Sequence, residues 1–169
     1  MRRGWSPDNL RPEAKDDELA AIAADPVRFL SRQVDRTGAA PPVKLPDGST
    51  VARIPGFHKW MWDGEFCGSI GLRWLPGTND LPAYVLGHIG FSVVPWKRRR
   101  GYATLALASM LQEARKEGLD YVDLTTDEAN IASQRVIVSN GGKLVERFVK
   151  PAHYGGAPSF RFRIRLNDD

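Results

Sequence analysis

Two periods organise the hydrophobic positions of this chain. Leu105, Leu107, Met110, Leu111 and Ala114 recur at the i, i+3/i+4, i+7 spacing of an amphipathic helix. That helix is expected to start near Tyr102 and to stop at Gly118, just after Lys116. Elsewhere the period is two. Val122 and Leu124 alternate through Tyr121–Thr126. Phe160, Phe162, Ile164 and Leu166 alternate with Arg161, Arg163 and Arg165, which predicts a strand with one buried and one wet, basic face. Phe57–Trp62 and Glu65–Trp74 flank Asp63-Gly64, the strongest short hairpin signal in the chain. Ala83–Val94 reads as a central strand, Asn130–Ser139 as a short helix ending at Asn140-Gly141-Gly142, and Lys143–Val149 as a strand. Between that strand and the last one, Lys150–Pro158 is loop.

The N-terminal part is polar and helical. Ser6-Pro7-Asp8-Asn9 is a turn and cap signal, Asp16–Ala24 a helix, and Asp25-Pro26 opens a second helix through about Asp35. Thr37–Pro42, Leu45–Ser49 and Pro76–Pro82 are loops, and Asp47-Gly48 turns into a strand at Thr50–Ile54. The order is helices, an antiparallel meander, helix, strand, helix and a terminal hairpin, which is an α+β class. We expect one domain over residues 1–169, with a helical segment at 1–42 and a core at 57–166.

Composition changes this picture little. The 169 residues are 42% hydrophobic and 26% charged, as in an ordinary globular protein. One cysteine, Cys67, excludes an internal disulfide framework, and its apolar strand marks it as a core residue. No apolar run reaches membrane length and no secretory segment follows Met1-Arg-Arg, so a soluble, cytoplasmic protein without a membrane partner is expected. The net charge of +4 is partly local, with one cluster at Lys97–Arg100.

That cluster carries the candidate chemistry. A strand runs into Pro95, a basic loop with one glycine, Gly101, and then the long helix. Free N–H groups, the positive end of the helix dipole and a glycine that admits close approach make such a loop a place to hold phosphate. A P-loop would need Gly-x-x-x-x-Gly-Lys-Ser/Thr, which is absent, and a dinucleotide fold would need three spaced glycines. A solvated basic turn is the plain alternative.

Arg98-Arg99-Arg100-Gly101-Tyr102-Ala103 resembles the Arg/Gln-x-x-Gly-x-Gly/Ala signature of the GNAT N-acetyltransferases. Gly87-His88-Ile89-Gly90 before the loop, and Asn130-x-x-Ser133 with Asn140-Gly141-Gly142 after it, resemble the bacterial "predicted acetyltransferase" subgroup. The likeness runs from about Phe57 to Leu166. It implies the GNAT (acyl-CoA N-acyltransferase) fold: a mixed central sheet flanked by helices, with the strand ending at Val94 and the strand at Tyr121–Thr126 splayed apart. It also implies a first strand before the N-terminal helices. None is legible here, so the sheet is one strand short or the start of the chain is misassigned.

The resemblance implies acetyl-CoA as cosubstrate and a set of cofactor-binding residues. The pantetheine arm would pair with the backbone at Phe91–Val94, with a bulge permitted by Gly90. The Val93 N–H would polarise the thioester carbonyl. The pyrophosphate would lie on the N–H groups of Arg99, Arg100, Gly101, Tyr102, Ala103 and Thr104, with the Arg98–Arg100 side chains and the Thr104 hydroxyl beside it. Asn130 and Ser133 would face the cofactor, although an Asn there also suits a helix N-cap.

His88, five residues before Val93, is the candidate general base, since imidazole titrates near neutrality. The other reading is a histidine hydrogen-bonded inside the sheet. The family's usual acid is a Tyr seven residues after the Asn; here that position is Ile137, and Tyr154 and Tyr121 are the available substitutes. A thiolate leaving group with a pKa of about 8.5 tolerates the loss. Trp60, Trp62, Trp74 and Trp96 are candidates for an aromatic acceptor pocket or, for Trp60 and Trp62, for packing on a helix. Arg73 and Pro76–Pro82 lie where acceptor loops of the family often sit.

The expected function is N-acetylation of an amine, on a small molecule, by direct attack. No metal and no nucleic acid are expected, and Phe160–Leu166 offers a route to a homodimer. The alternatives are a non-catalytic acyl-CoA-binding module, favoured by the missing Tyr, and nucleic-acid binding through Lys97–Arg100.

Overall fold

The computed structural model describes residues 14–45 and 48–167. The turn signal at Ser6-Pro7-Asp8-Asn9, and Asp47, lie outside the described residues. Helix α1 spans Ala14–Ala24 and α2 Pro26–Ser31, with Asp25 capping α2 by accepting from the Arg28 N–H. The second helix is shorter than expected. Arg32 and Gln33 close its last turn, and Val34–Asp35 (β1) instead pairs antiparallel with Phe57 and Gly56. Asp35 then accepts from the N–H groups of Thr37, Ala39 and Ala40, which turns the chain away from helix and holds its carboxyl below the usual carboxylate range.

Strands β2 (Val43–Lys44) and β3 (Thr50–Val51) form a separate short hairpin. The meander follows: β4 (Gly56–Trp62), β5 (Phe66–Arg73) and β6 (Ile89–Val93), giving the sheet order β1-β4-β5-β6. β6 is shorter than the Ala83–Val94 expectation. A turn bonded from the Val85 N–H to the Pro82 carbonyl diverts the first half into loop. Its register against β5 is regular throughout, so Gly90 makes no bulge; the register shift in this sheet falls between Met61 and Trp62.

A 3-10 turn at Pro95–Lys97 leads to α3 (Tyr102–Lys116), then β7 (Tyr121–Asp127), α4 (Ile131–Ser139), β8 (Lys143–Val149), a 3-10 turn at Ala152–Tyr154, and β9 (Pro158–Arg165). The second sheet has the order β7-β9-β8. β9 is therefore central, paired with β7 along its length and with β8 as far as Arg163.

The core joins both sheets to α3. Leu72, Ile89, Leu107, Met110, Ala114, Val122, Leu124 and Ile164 are all buried there. Leu105 departs from the expected stripe and is exposed. Cys67 is fully buried, and burial pushes its thiol up. The basic face of β9 is not simply wet. Arg163 makes a two-toothed ion pair with buried Asp123 (2.8 and 2.9 Å) and stacks on Tyr121, and Arg161 pairs with Glu146.

Candidate active site

The functional geometry starts where β6 and β7 part. They belong to different sheets and make no ladder with each other among the described residues. They touch at the start of β6, where the His88 N–H donates to the Asp123 carbonyl (2.7 Å). The next donor, the Asp123 N–H, goes to His88 Nδ1 (3.0 Å) instead of to a carbonyl of β6. The imidazole thus takes a ladder bond at the vertex, and beyond it the strands diverge.

The divergence frees one edge of β6. Arg73 N–H donates to the His88 carbonyl and Val94 N–H to the Cys67 carbonyl. In an antiparallel pair the hydrogen-bonded rungs alternate, so Gly90 and Ser92 face β5 and the intervening residues face away. The N–H and C=O of Phe91 and the N–H of Val93 therefore point into the gap. The Val93 carbonyl accepts from Arg98 Nε (3.1 Å). Val94 differs from the expectation: its side chain is fully buried and its N–H is spent on β5, so it does not line the gap.

A cleft of about 1010 Å³ follows from this. It is lined by Phe91, Ser92 and Val93 from β6, by the loop from Arg98 to Thr104, and by Asn130 and Ser133 at the start of α4. Gly101 sits at the N-cap of α3 with φ +80 and no side-chain cap bond. The N–H groups of Tyr102, Ala103 and Thr104 are thus left without intrahelical partners at the positive end of the dipole. Arg99, at φ +61, adds a second left-handed residue to the loop. α4 is built differently: Asn130 Oδ1 accepts from the Ser133 N–H (3.1 Å), so Asn130 caps its helix and lines the cleft together.

The loop is tied down by a residue that sequence reasoning passed over. Asp63, in the β4–β5 turn, accepts from Lys97 Nζ (2.8 and 3.0 Å) and from the Tyr102 hydroxyl. Glu65 adds a second anion to Lys97 (3.2 Å). Lys97 is therefore bound within the protein and is not one of the cleft's open cations. Its hydrogen bond to Asp63 raises its own pKa and holds the Asp63 carboxyl below its ordinary value near 3.8. An acid depressed in the fold stabilises it above its unfolded pKa and loses that contribution as pH falls through the folded one. Asp63→Asn is accordingly expected to lower the melting temperature at neutral pH and to flatten its fall below about pH 4. A denaturation series in pH checks this; parallel curves for both proteins would refute it.

The sequence model of the acetyltransferase (GNAT) domain matches residues 9–143. This chain belongs to that family. Solved structures agree at the level of fold. A putative acetyltransferase of Salmonella typhimurium, yncA, solved with acetyl-CoA, is 16% identical with a TM-score of 0.50, covering 63% of this chain and 61% of its own. The microcin C7 self-immunity acetyltransferase MccE, solved with acetyl-CoA and AMP, is 13% identical with a TM-score of 0.51, covering 65% and 61%. A Bacillus subtilis acetyltransferase in complex with CoA is 13% identical with a TM-score of 0.53, covering 66% and 78%. The chain thus covers less than two thirds of the first two. No curated protein matches by sequence.

Within this GNAT domain the position of the absent Tyr is informative. Ile137 is buried in the core and does not line the cleft; Ala132, Ser133, Arg135 and Val136 are the α4 residues that do. Arg135 and Ser92 were missed in the sequence, although Arg135 and Ala132 share a helix face with Val136. The tryptophans do not gather into one pocket. Trp74 packs edge-on against Phe57 in the core, Trp60 packs on Phe29 of α2, and Trp62 is exposed. Tyr154 donates to the Tyr84 carbonyl (2.6 Å), and burial pushes its pKa up.

His88 is 1% exposed, and burial pushes its pKa down against the opposing field of Asp123. With Nδ1 accepting from a backbone N–H, the neutral ring carries its proton on Nε2, and the Asn79 backbone lies beside the ring. Neither nitrogen then has a free lone pair for an incoming proton.

Proposed function

We propose that this GNAT domain, a single unit over residues 1–169, is an acetyl-CoA-dependent N-acetyltransferase acting on a small-molecule amine. The carrying observation is the open edge of β6 running directly into an uncapped, arginine-rich helix N-terminus. These parts suit the two ends of acyl-CoA. The orphan N–H groups of Tyr102–Thr104 and the Arg98–Arg100 side chains offer donors and charge for a pyrophosphate. Phe91 and Val93 offer strand-like pairing for an amide-bearing arm. Acetyl-CoA supplies an activated acetyl thioester, so the amine lone pair forms the C–N bond as the C–S bond breaks and the amine proton passes to solvent.

The chain's own contribution is placement and polarisation. The Val93 N–H is fixed by its rung opposite Gly68 and faces the gap, where it can donate to a carbonyl oxygen that gains charge. His88 serves as the wedge that opens the gap, not as the base: its Nδ1 is engaged and its Nε2 protonated. The amine is then deprotonated by water before attack, and the rate follows the acceptor's own pKa. A non-catalytic acyl-CoA-binding module is the second reading, favoured by the burial of Ile137 where the family's acid stands.

Val93→Pro tests the proposal, since it removes the N–H in question but no bond to β5. Free-thiol release from acetyl-CoA with a panel of amines should fall about 100-fold or more, with acetyl-CoA affinity changed only a few-fold. Equal turnover by both proteins would overturn the role of Val93. Acetyl-CoA binding without turnover on any amine would favour the binding module.

A further inference from the structure

Resting on the transferase reading, we propose that Arg98 is a positioning residue that ties the phosphate end of the cofactor site to the thioester end. Three backbone groups on the free edge of β6 point into the gap without a partner among the described residues: the N–H and C=O of Phe91 and the N–H of Val93. The fourth, the Val93 carbonyl, accepts from Arg98 Nε (3.1 Å). Arg98 also lines the cleft, and among the described residues its Nη1 and Nη2 make no ion pair and no hydrogen bond. A guanidinium is a rigid fork with five donors. Here Nε is spent on the strand and the end-on Nη pair is left, a geometry that takes a phosphate with two parallel bonds. Arg99, Arg100 and Arg135 line the same cleft, but none of them bonds to β6.

The segment between the two ends is short and stiff. Val94 gives its N–H to the Cys67 carbonyl and accepts from the Lys97 N–H (3.0 Å), and the Arg98 N–H closes on the Pro95 carbonyl (3.4 Å). Pro95 fixes its own φ, and Lys97 is anchored on Asp63 and Glu65. The movable part is therefore the Arg98 side chain. Exposed and held by one bond, it retains rotamer freedom, so that bond alone does not hold Val93 permanently. A phosphate on the Nη pair fixes the guanidinium, and with it the Val93 carbonyl. Val93 is then locked from both sides, by the Ser92 rung to β5 before it and by the guanidinium after it, and its N–H keeps one aim. Polarisation of a thioester depends on that aim, so binding energy at the remote phosphates is converted into rate. A lysine would keep the charge but not the span: its single nitrogen sits at the carbonyl or at the phosphate, not at both.

Arg98→Lys provides the test, with two donors: acetyl-CoA, and S-acetyl-pantetheine, which carries the thioester without the phosphates. In the wild type, kcat with acetyl-CoA should exceed kcat with S-acetyl-pantetheine by about tenfold or more, a difference in turnover and not in KM alone. In Arg98→Lys the two kcat values should agree within about twofold, while the KM for acetyl-CoA rises only a few-fold. Inorganic pyrophosphate should speed the turnover of S-acetyl-pantetheine by the wild type and not by the variant. One readout needs no turnover. Pyrophosphate alone should shift the amide resonance of Val94, whose peptide carries the Arg98 bond, in the wild type and leave it unmoved in Arg98→Lys. An equal ratio of the two kcat values in both proteins, or a wild-type Val94 amide indifferent to pyrophosphate, overturns the inference. So does a variant that melts clearly lower and loses turnover equally with both donors, since Arg98 would then be structural. If the Val94 amide responds in the wild type alone but no amine is acetylated from either donor, the coupling stands and it is the transferase reading that fails.

Discussion

Gly68→Ala is expected to raise the dissociation constant for acetyl-CoA at least about tenfold and to lower the melting temperature clearly. Gly68 has φ +153 and lies opposite Val93. A side-chain carbon there would sit 2.1 Å from the Ser92 carbonyl oxygen and 2.9 Å from Val93 Cα. Both are backbone atoms of the strand that offers its edge to the cofactor, so no rotamer change relieves the contact. The strand must shift, and with it the N–H placed to polarise the thioester. Overpacking of this kind costs roughly 1–3 kcal/mol or more, and the positive φ adds strain for any residue with a side chain. Gly71→Ala is the control: its new carbon meets the His58 ring, a side chain that can turn away, so its effect on acetyl-CoA should be small. Calorimetry and thermal melting of the two variants check this, and equal effects would refute it.

The second large effect is expected from Arg100→Glu/Gly101→Asp. Gly101 leaves the first N–H groups of α3 open. An aspartate there places a carboxylate beside those groups. The glutamate replaces an exposed cation at the cleft wall with an anion. A negative charge then stands where a pyrophosphate would, at the positive end of the helix dipole. Acetyl-CoA binding should become undetectable while the melting temperature falls only modestly, the fall coming from a side chain placed at φ +80. A variant that still binds within a few-fold would show that the loop does not hold the phosphates.

Local signals carried much of the fold. The β4–β5 hairpin followed from Asp63-Gly64, α3 from its apolar spacing, and β8 and β9 from their alternation, each within a residue or so of its observed bounds. What failed depended on long-range pairing. Val34–Asp35 leaves the helix because β4 offers it an edge, and Ala83–Leu86 leaves the strand because it walls a cavity instead. The insertion of β9 between β7 and β8 is a matter of sheet order, to which alternation is blind. The cofactor cleft was legible because its donors are backbone groups fixed by one local motif. Ten of its sequence-derived residues beyond Phe91 line it, and Val94 does not because its position falls on the rung that faces β5. Asp63 was legible as a residue but not as a role, because the hairpin must fold over the loop before it meets Lys97.

Acetyl-CoA titrated into the intact protein by calorimetry tests the central claim, that the gap between β6 and β7 and the loop before α3 form one acyl-CoA site. The account predicts one site per chain with micromolar affinity, about −8 kcal/mol, abolished in Arg100→Glu/Gly101→Asp. No heat of binding from the intact, folded protein would contradict it.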